Sequence, residues 1–540
     1  MSAAPAPSLA TVGRRRRAGH PSLLLILGAL VGAVLLLPPV FLLVEARGAG
    51  VGSVAALIAR PLTAHLLWNT VRLAVTVTAA CSAIGTGAAW LTERTHLPGR
   101  RVWAVLIVVP LAIPDFVVSF GWASISTAIA GFRGAVLVMT LALYPLVYLP
   151  VAASLRNADP GQEEVARSLG AGRLRTFWRI TMGQARVAIL GGALLVTLVL
   201  LAEYGAFEIL GYQTFTTEIF TESSSLFNLP SACALSLVLI GLGLVVLGGE
   251  SAVRGRGRVS RSGPQAQRAT TRHRLGRWAW PAQAALAALV TLALGVPVGS
   301  AVYWWVTGTS HPFTGTSPLG AGGYTFLYSG CAALLATVMA LPVAILALRN
   351  DALSRRILER GTYLVLAIPG LVVALSLAYF SETYAGGFWY QQAPLLIAAY
   401  AIMFFPLALT GVRASVAQAP PDLEDIARSL GQRRLAVLWR VTRPLVTPGL
   451  AASFCLVFLS AVTELTATLI LVPTGVQTLA TQFWNYQQNL AYGQAAPFAL
   501  AIIVLAAGPS YVLGRFFDHL PARATAGLVS APDLSGYAER

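Results

Sequence analysis

Carboxylates are scarce in this chain, and several of them come in matched pairs. Glu163 and Glu164 begin a run that reads Glu164-Val165-Ala166-Arg167-Ser168-Leu169-Gly170 and continues to Phe177-Trp178-Arg179-Ile180-Thr181. Glu424 and Asp425 begin a second run, 261 residues further on, that reads Asp425-Ile426-Ala427-Arg428-Ser429-Leu430-Gly431 and continues to Leu438-Trp439-Arg440-Val441-Thr442. Glu203 recurs as Glu464 at the same separation. The first two pairs sit in charged stretches, where carboxylates serve docking and ion pairing. The third sits in apolar stretches, where a carboxylate needs water, a hydrogen bond or a cation to offset its cost. No His, Asp and Cys constellation suggests a reaction centre. The six histidines are scattered without ligand spacing, and the four cysteines are isolated, so neither a zinc site nor a disulfide is expected.

Each charged run reads as a compact helix–glycine–helix knuckle. In the first, Asp159 caps the helix, Pro160 fits its first turn and Gln162 stands at the capping-box position. Glu163 and Glu164 then lie near the positive end of the helix dipole. Gly170 stops the helix, since it tolerates the left-handed conformation of a helix end. Pro421, Asp422, Glu424, Asp425 and Gly431 repeat the arrangement. Beyond each glycine a second amphipathic stretch follows, with Leu174, Phe177, Trp178 and Thr181 in one copy and Leu435, Leu438, Trp439 and Thr442 in the other. One such loop is compatible with a plain connection. Two matched copies, with small central residues Ala166 and Ala427, predict two equivalent docking points for a soluble partner.

The elements that position these knuckles are membrane spans. The chain is 56% hydrophobic and only 11% charged, and apolar runs of about 20 residues, enough to cross the hydrocarbon as helices, recur throughout. Twelve spans are predicted, near 22–44, 66–91, 102–128, 134–155, 188–210, 231–249, 280–306, 324–348, 359–381, 393–415, 449–472 and 495–517. The run after Arg14–Arg17 is too long for a secretory signal core and reads as a retained first span. The net charge of +17 is carried by arginine alone, and the arginines fall in alternate loops. That is the positive-inside pattern, and it argues against a nucleic-acid role. It places both termini, the linker and both knuckles in the cytosol. The expected division is a tail at 1–21, a unit at 22–250, an Arg-rich linker at 251–277, a second unit at 278–520 and a tail at 521–540. Tyr144-Pro145 recurs as Phe405-Pro406 and Ile113-Pro114 as Ile368-Pro369, so the fold class is an all-α membrane protein of two parallel six-helix repeats.

The knuckles resemble the "EAA" loop of importer-type ATP-binding-cassette permeases, and nearly the whole chain resembles two such permease units fused in one polypeptide. The resemblance implies that Glu163, Glu164, Ala166 and Gly170, with Glu424, Asp425, Ala427 and Gly431, couple the permease to a cytosolic ATP-binding-cassette ATPase, expected as a dimer, that holds ATP-Mg itself. It also implies an extracytoplasmic substrate-binding protein and a location in the bacterial inner membrane. This chain itself would bind no cofactor and catalyse no reaction: no Walker-type phosphate loop is present, and Gly320-Ala321-Gly322-Gly323 lacks the following Lys. Val165 and Ile426 depart from the family's first Ala, Asp425 from its Glu, and Gly183 and Val187 stand where the second half has Pro444 and Pro448.

The stretches Glu464–Pro473, Thr478–Thr481 and Trp484, with Ala202–Phe207 and Thr214–Phe220, resemble fused permeases of ferric-iron uptake. Ferric ion suits carboxylate and phenolate oxygens. Glu203 and Glu464 are therefore the candidate translocation path, with Tyr204, Glu208, Tyr212, Glu218 and Glu222 as further oxygen donors near the outer face. No metal site is assigned, because chelated iron needs none. The same architecture could import thiamine or another small solute. An ion-coupled secondary transporter is the rival of another class, and the parallel repeat and sparse intramembrane charge speak against it.

Overall fold

A computed structural model describes residues 21–48, 52, 56–57, 59–225, 228–254, 272–308, 317–349, 365, 368–417, 419 and 421–519. The expected tails and most of the linker lie outside the described residues. The first half comprises α1 (Pro21–Gly48), α2 (Pro61–Arg94), α3 (Arg100–Leu106), α4 (Asp115–Ala123), α5 (Gly131–Arg156), α6 (Pro160–Ser168), α7 (Met182–Ala202), α8 (Gly205–Ile209), α9 (Phe215–Phe220) and α10 (Leu229–Arg254). The second comprises α11 (Ala279–Val290), α12 (Val296–Thr307), α13 (Pro318–Arg349), α14 (Gly370–Tyr384), α15 (Ala393–Met403), α16 (Phe405–Val416), α17 (Pro421–Ser429), α18 (Arg443–Val462), α19 (Thr466–Leu471), α20 (Leu479–Gln488) and α21 (Tyr492–His519). Among the described residues the only bridge between extended segments joins Thr95 to His273.

Nine helices among the described residues are long and apolar enough to span a membrane, or eleven if each of two bent pairs counts as one span. The expected span at 359–381 begins outside the described residues and continues as α14. The expected span at 102–128 is broken: its two helical parts meet at 92°. Proline is the cause. Ile113 is pushed to extended backbone by the ring that follows it, and Pro114 starts α4 without an amide to donate. Pro369 precedes α14 with almost the same backbone angles, φ −61° and ψ 147° against −59° and 144°, so the repeat noted in sequence is a repeat of helix starts. The proline pair 145 and 406 behaves asymmetrically. Pro145 lies within continuous α5, whereas α15 and α16 meet at 59° beside Pro406.

The halves exchange their first helices. Phe41 of α1 sets its ring edge-on against Phe380 and Tyr384 of α14, at 6.4 and 6.3 Å. Reciprocally, α12 lies so close to α4 that a Cβ on Gly121 would stand 2.6 Å from the Cα of Pro297. From the other side, α4 reaches into the second half, with Phe116 and Phe120 each 5.3 Å from the ring of Phe483. One continuous apolar core therefore runs through both halves. Its best-buried helix is α5, packed closely enough by α2 that Gly85 has no room for a side chain against the Tyr144 carbonyl.

Candidate functional site

The knuckle helices form as their sequences dictate. The Asp159 carboxylate accepts from the Gly161 amide at 2.9 Å and caps α6, and Pro160 occupies the first turn. Gln162 does not complete a capping box: its Oε1 accepts from Gln184 Nε2 at 2.9 Å instead, tying α6 to the start of α7. Gly170 and Gly431 adopt φ +82° and +80°. The amide after each glycine reaches back to the carbonyl of Ala166 or Ala427, at 3.0 and 3.1 Å, which is the Schellman closure of a helix end. After the glycine, both knuckles carry a π-helical turn, Phe177–Thr181 and Leu438–Thr442. The register shift of these turns is absent from the helical spacing read in sequence; Thr181 is buried while Leu174 and Trp178 are exposed.

The paired acids of each knuckle divide into two roles. Glu163 is buried and paired with Arg94, the last residue of α2, which is itself only 1% exposed. Thr181 donates to the same carboxylate at 2.8 Å, and Arg167 lies 3.9 Å from its other oxygen. Glu163 is thus an anchor. Glu424, half-buried, accepts from Thr442 at 3.2 Å and lies 3.6 Å from Arg428. Arg349 ends α13 as Arg94 ends α2, though its side chain lies outside the described set. Glu164 and Asp425 point outward, and beside them stand exposed apolar side chains: Val165 at 59%, Leu169 at 82%, Ile426 at 56% and Leu430 at 76%. Val165 and Ile426, departures from the family pattern in sequence, are therefore part of the outward face. Ala166 is half-buried and Ala427 buried, so these two seat the helices against the body.

Glu203 and Glu464 occupy breaks, not helix interiors. Glu203 follows the end of α7 in extended backbone, φ −74° and ψ 133°. Its Oε1 accepts from the Ala206 amide at 2.7 Å, while its carbonyl accepts from the Thr216 hydroxyl at 2.5 Å. Glu464 repeats the first contact, from the Ala467 amide at 3.0 Å, while its carbonyl accepts at 2.8 Å from Thr468, within the helix that follows directly, and not from a more distant element. Each carboxylate thus caps the short helix that follows it and satisfies a free amide. The two are close enough to interact electrostatically, and Asp115 acts on Glu203 as well. Asp115, at the start of α4, went unread in sequence; its signal was its place directly after the repeated Ile-Pro, where the other half has Gly370. A Cβ on Gly370 would lie 3.6 Å from Glu464 Oε1 and closer still to the Met403 side chain, so the paired breaks have an acid beside one glutamate and a glycine packed by Met403 beside the other. A cavity of about 10 Å³, room for a single water, adjoins Glu464, Tyr400 and Ser329.

The other oxygen donors are dispersed. Tyr204 is buried and stacked on Phe220 at 4.3 Å. Tyr212 is buried too, its hydroxyl accepting from Arg72 at 3.2 Å and donating to the Asn69 carbonyl at 3.0 Å. Both phenols are committed to packing. Glu208 is exposed, Glu218 half-buried and Glu222 buried. Burial holds the Glu218 carboxyl above its usual range, and the neighbouring Glu222 adds to the shift. Among the described residues no group of three or more His, Cys, Asp or Glu side chains is arranged to hold a metal ion. Cys81, Cys233, Cys331 and Cys455 are all free thiols.

With this geometry in view, the sequence matches the family described as "Binding-protein-dependent transport system inner membrane component" twice, over residues 82–252 and 332–525. Each match covers one knuckle and one glutamate break. The chain is 37% identical over 92% of its length to the "Fe(3+)-transport system permease protein FbpB 2" of Haemophilus influenzae, covering 98% of that protein. It is 25% identical over 69% of its length to the "Ferric transport system permease protein FbpB" of Actinobacillus pleuropneumoniae, covering 57% of it. Over 41% of its length it is 28% identical to "Sulfate permease 2, chloroplastic" of Chlamydomonas reinhardtii.

Proposed function

The chain belongs to the binding-protein-dependent transport system inner membrane components, and from that membership we propose that it is the fused permease of an ATP-driven importer of ferric iron. The observation that carries the cargo is the 37% identity, along almost the full length of both chains, to a protein named as an Fe(3+)-transport permease. The paired knuckles carry the coupling. Each offers an outward acid and two outward apolar side chains to a cytosolic ATPase, which holds ATP-Mg itself. The buried Arg94–Glu163 pair then transmits movement of α6 to α2. A substrate-binding protein presents cargo at the opposite face. The alternation of arginines puts the knuckles, the linker and both termini in the cytosol, with the two units at 22–250 and 278–520.

The path is proposed to run past Asp115, Glu203 and Glu464. Three carboxylates at facing helix breaks favour a cation, free or chelated, and oppose an oxyanion such as the cargo in the sulfate permease's name. The test is ATP-dependent uptake by proteoliposomes containing the chain with its ATPase and binding protein. Radioactive ferric iron should accumulate, while sulfate and thiamine should not. Uptake of either of those solutes in place of iron would overturn the cargo. Accumulation driven by an ion gradient without ATP would overturn the class.

A further inference from the structure

The second half holds a cavity of about 310 Å³ at its knuckle end, framed by the last turns of α13, the end of α16 and the first turns of α18. Leu341, Ile345, Val416 and Leu450 supply an aliphatic wall, and Arg443 stands at the rim. The Arg443 guanidinium lies 4.4 Å from the centre of the exposed Trp439 ring. The internal repeat supplies a control for this feature. At the place of Ile345 the first half has the larger Trp90, whose indole meets Phe177 edge-on at 5.8 Å. At the place of Arg443 it has Met182. In the first half the cation stands one turn further on, as Arg186 at the place of Thr447, so Arg443 sets the charge of the second-half mouth at a position of its own.

We propose that this cavity is a binding site for an anionic phospholipid, with an acyl chain along the Leu341–Ile345 wall and the phosphate paired with Arg443. Apolar walls of this volume are typical of small-molecule pockets. A basic mouth between spans at the cytosolic leaflet selects anionic headgroups, and a tryptophan at the same level is an interfacial anchor. The exposed Arg440 adds positive charge nearby. Thr442, in the cavity wall, donates to Glu424 of α17, so the bound lipid would bear on the second knuckle and not the first. The proposal rests on the orientation given above, which cysteine labelling tests separately, and it requires no particular cargo.

The experiment is native mass spectrometry of the purified transporter complex titrated with phosphatidylglycerol or phosphatidylcholine, in the absence of iron and ATP. The parental chain should retain one phosphatidylglycerol more than either Arg443→Met or Ile345→Trp, each of which copies the first half. Arg443→Met should weaken that binding step about tenfold and abolish the preference over phosphatidylcholine. Thermal unfolding with added phosphatidylglycerol gives a second reading: the upward shift seen for the parental chain should shrink in Arg443→Met, an exposed position where folding is not at stake. Equal retention and equal shifts across all three chains would overturn the proposal. So would loss of the ATPase from Ile345→Trp at an unchanged lipid count, which would assign the cavity to that subunit.

Discussion

At the scale of single residues, Glu203 and Glu464 each have two jobs that substitution can separate. Each accepts a hydrogen bond from the next short helix, and each brings a negative charge into an apolar region, at a cost of about 2.5 kcal/mol or more unless water or a cation relieves it. Glutamine keeps the acceptor oxygen and removes the charge. Glu203→Gln and Glu464→Gln, singly and together, should therefore leave assembly with the ATPase intact while iron uptake falls, most in the double variant. Parental uptake by the double variant would remove both from the path. Asp115→Gly, which copies Gly370, should lower uptake in the same assay if the three acids act together. The buried pair obeys a different logic. Replacing Arg94 by Met strands the Glu163 carboxylate, and breaking a buried pair from one side costs about 3–5 kcal/mol. A melting curve that matches the parental one would show that the pair is not the anchor of α6.

At the scale of elements, the glycine that closes each knuckle is the sharpest point of attack. Gly170 and Gly431 lie in the left-handed region with open space around them, so a side chain there is opposed by backbone strain and not by a clash. A β-branched residue held in that conformation costs about 1–3 kcal/mol. Gly170→Val and Gly431→Val should loosen the helix ends and reduce co-purification of the ATPase and ATP-driven uptake together. Full retention of both would count against docking at these loops. The second knuckle should respond more strongly, because it keeps Pro444 and Pro448 where the first has Gly183 and Val187. These helices were legible in sequence because cap, proline and glycine act locally: Asp159, Pro160 and Gly170 all behave as their types require. What was not legible depends on distant partners. The inward turn of Glu163 needs Arg94 from another span. The break at Glu203 hides in an apolar run of span length, and the proximity of Asp115 comes from a 92° bend between helices.

At the scale of the whole molecule, the apolar spans could be read from hydropathy, nine to eleven of the twelve expected being present among the described residues, and the repeat from its matched motifs, but the exchange of first helices could not, since apolar length carries no information about which neighbour a helix chooses. The orientation is tested directly by labelling intact cells with a membrane-impermeant thiol reagent. Ser224→Cys and Asn489→Cys should be tagged and Ser262→Cys spared, and the reverse pattern would overturn the assignment. The exchange itself predicts how the chain behaves when cut in its linker. Because Phe41 of α1 packs on α14 while α12 packs on Gly121 of α4, each half leaves an apolar helix face unpaired without the other. Separately expressed fragments 1–262 and 263–540 should be degraded or aggregate, whereas co-expressed fragments should co-purify as a complex. Within that complex, Gly121→Leu should weaken the association of the fragments, since the Pro297 backbone leaves no room for a side chain, and Gly323→Leu, at an open position on α13, should not. A first fragment that is monodisperse alone, with the melting behaviour of the intact chain, would show that the two units fold independently and that the exchanged helices contribute little to holding them together.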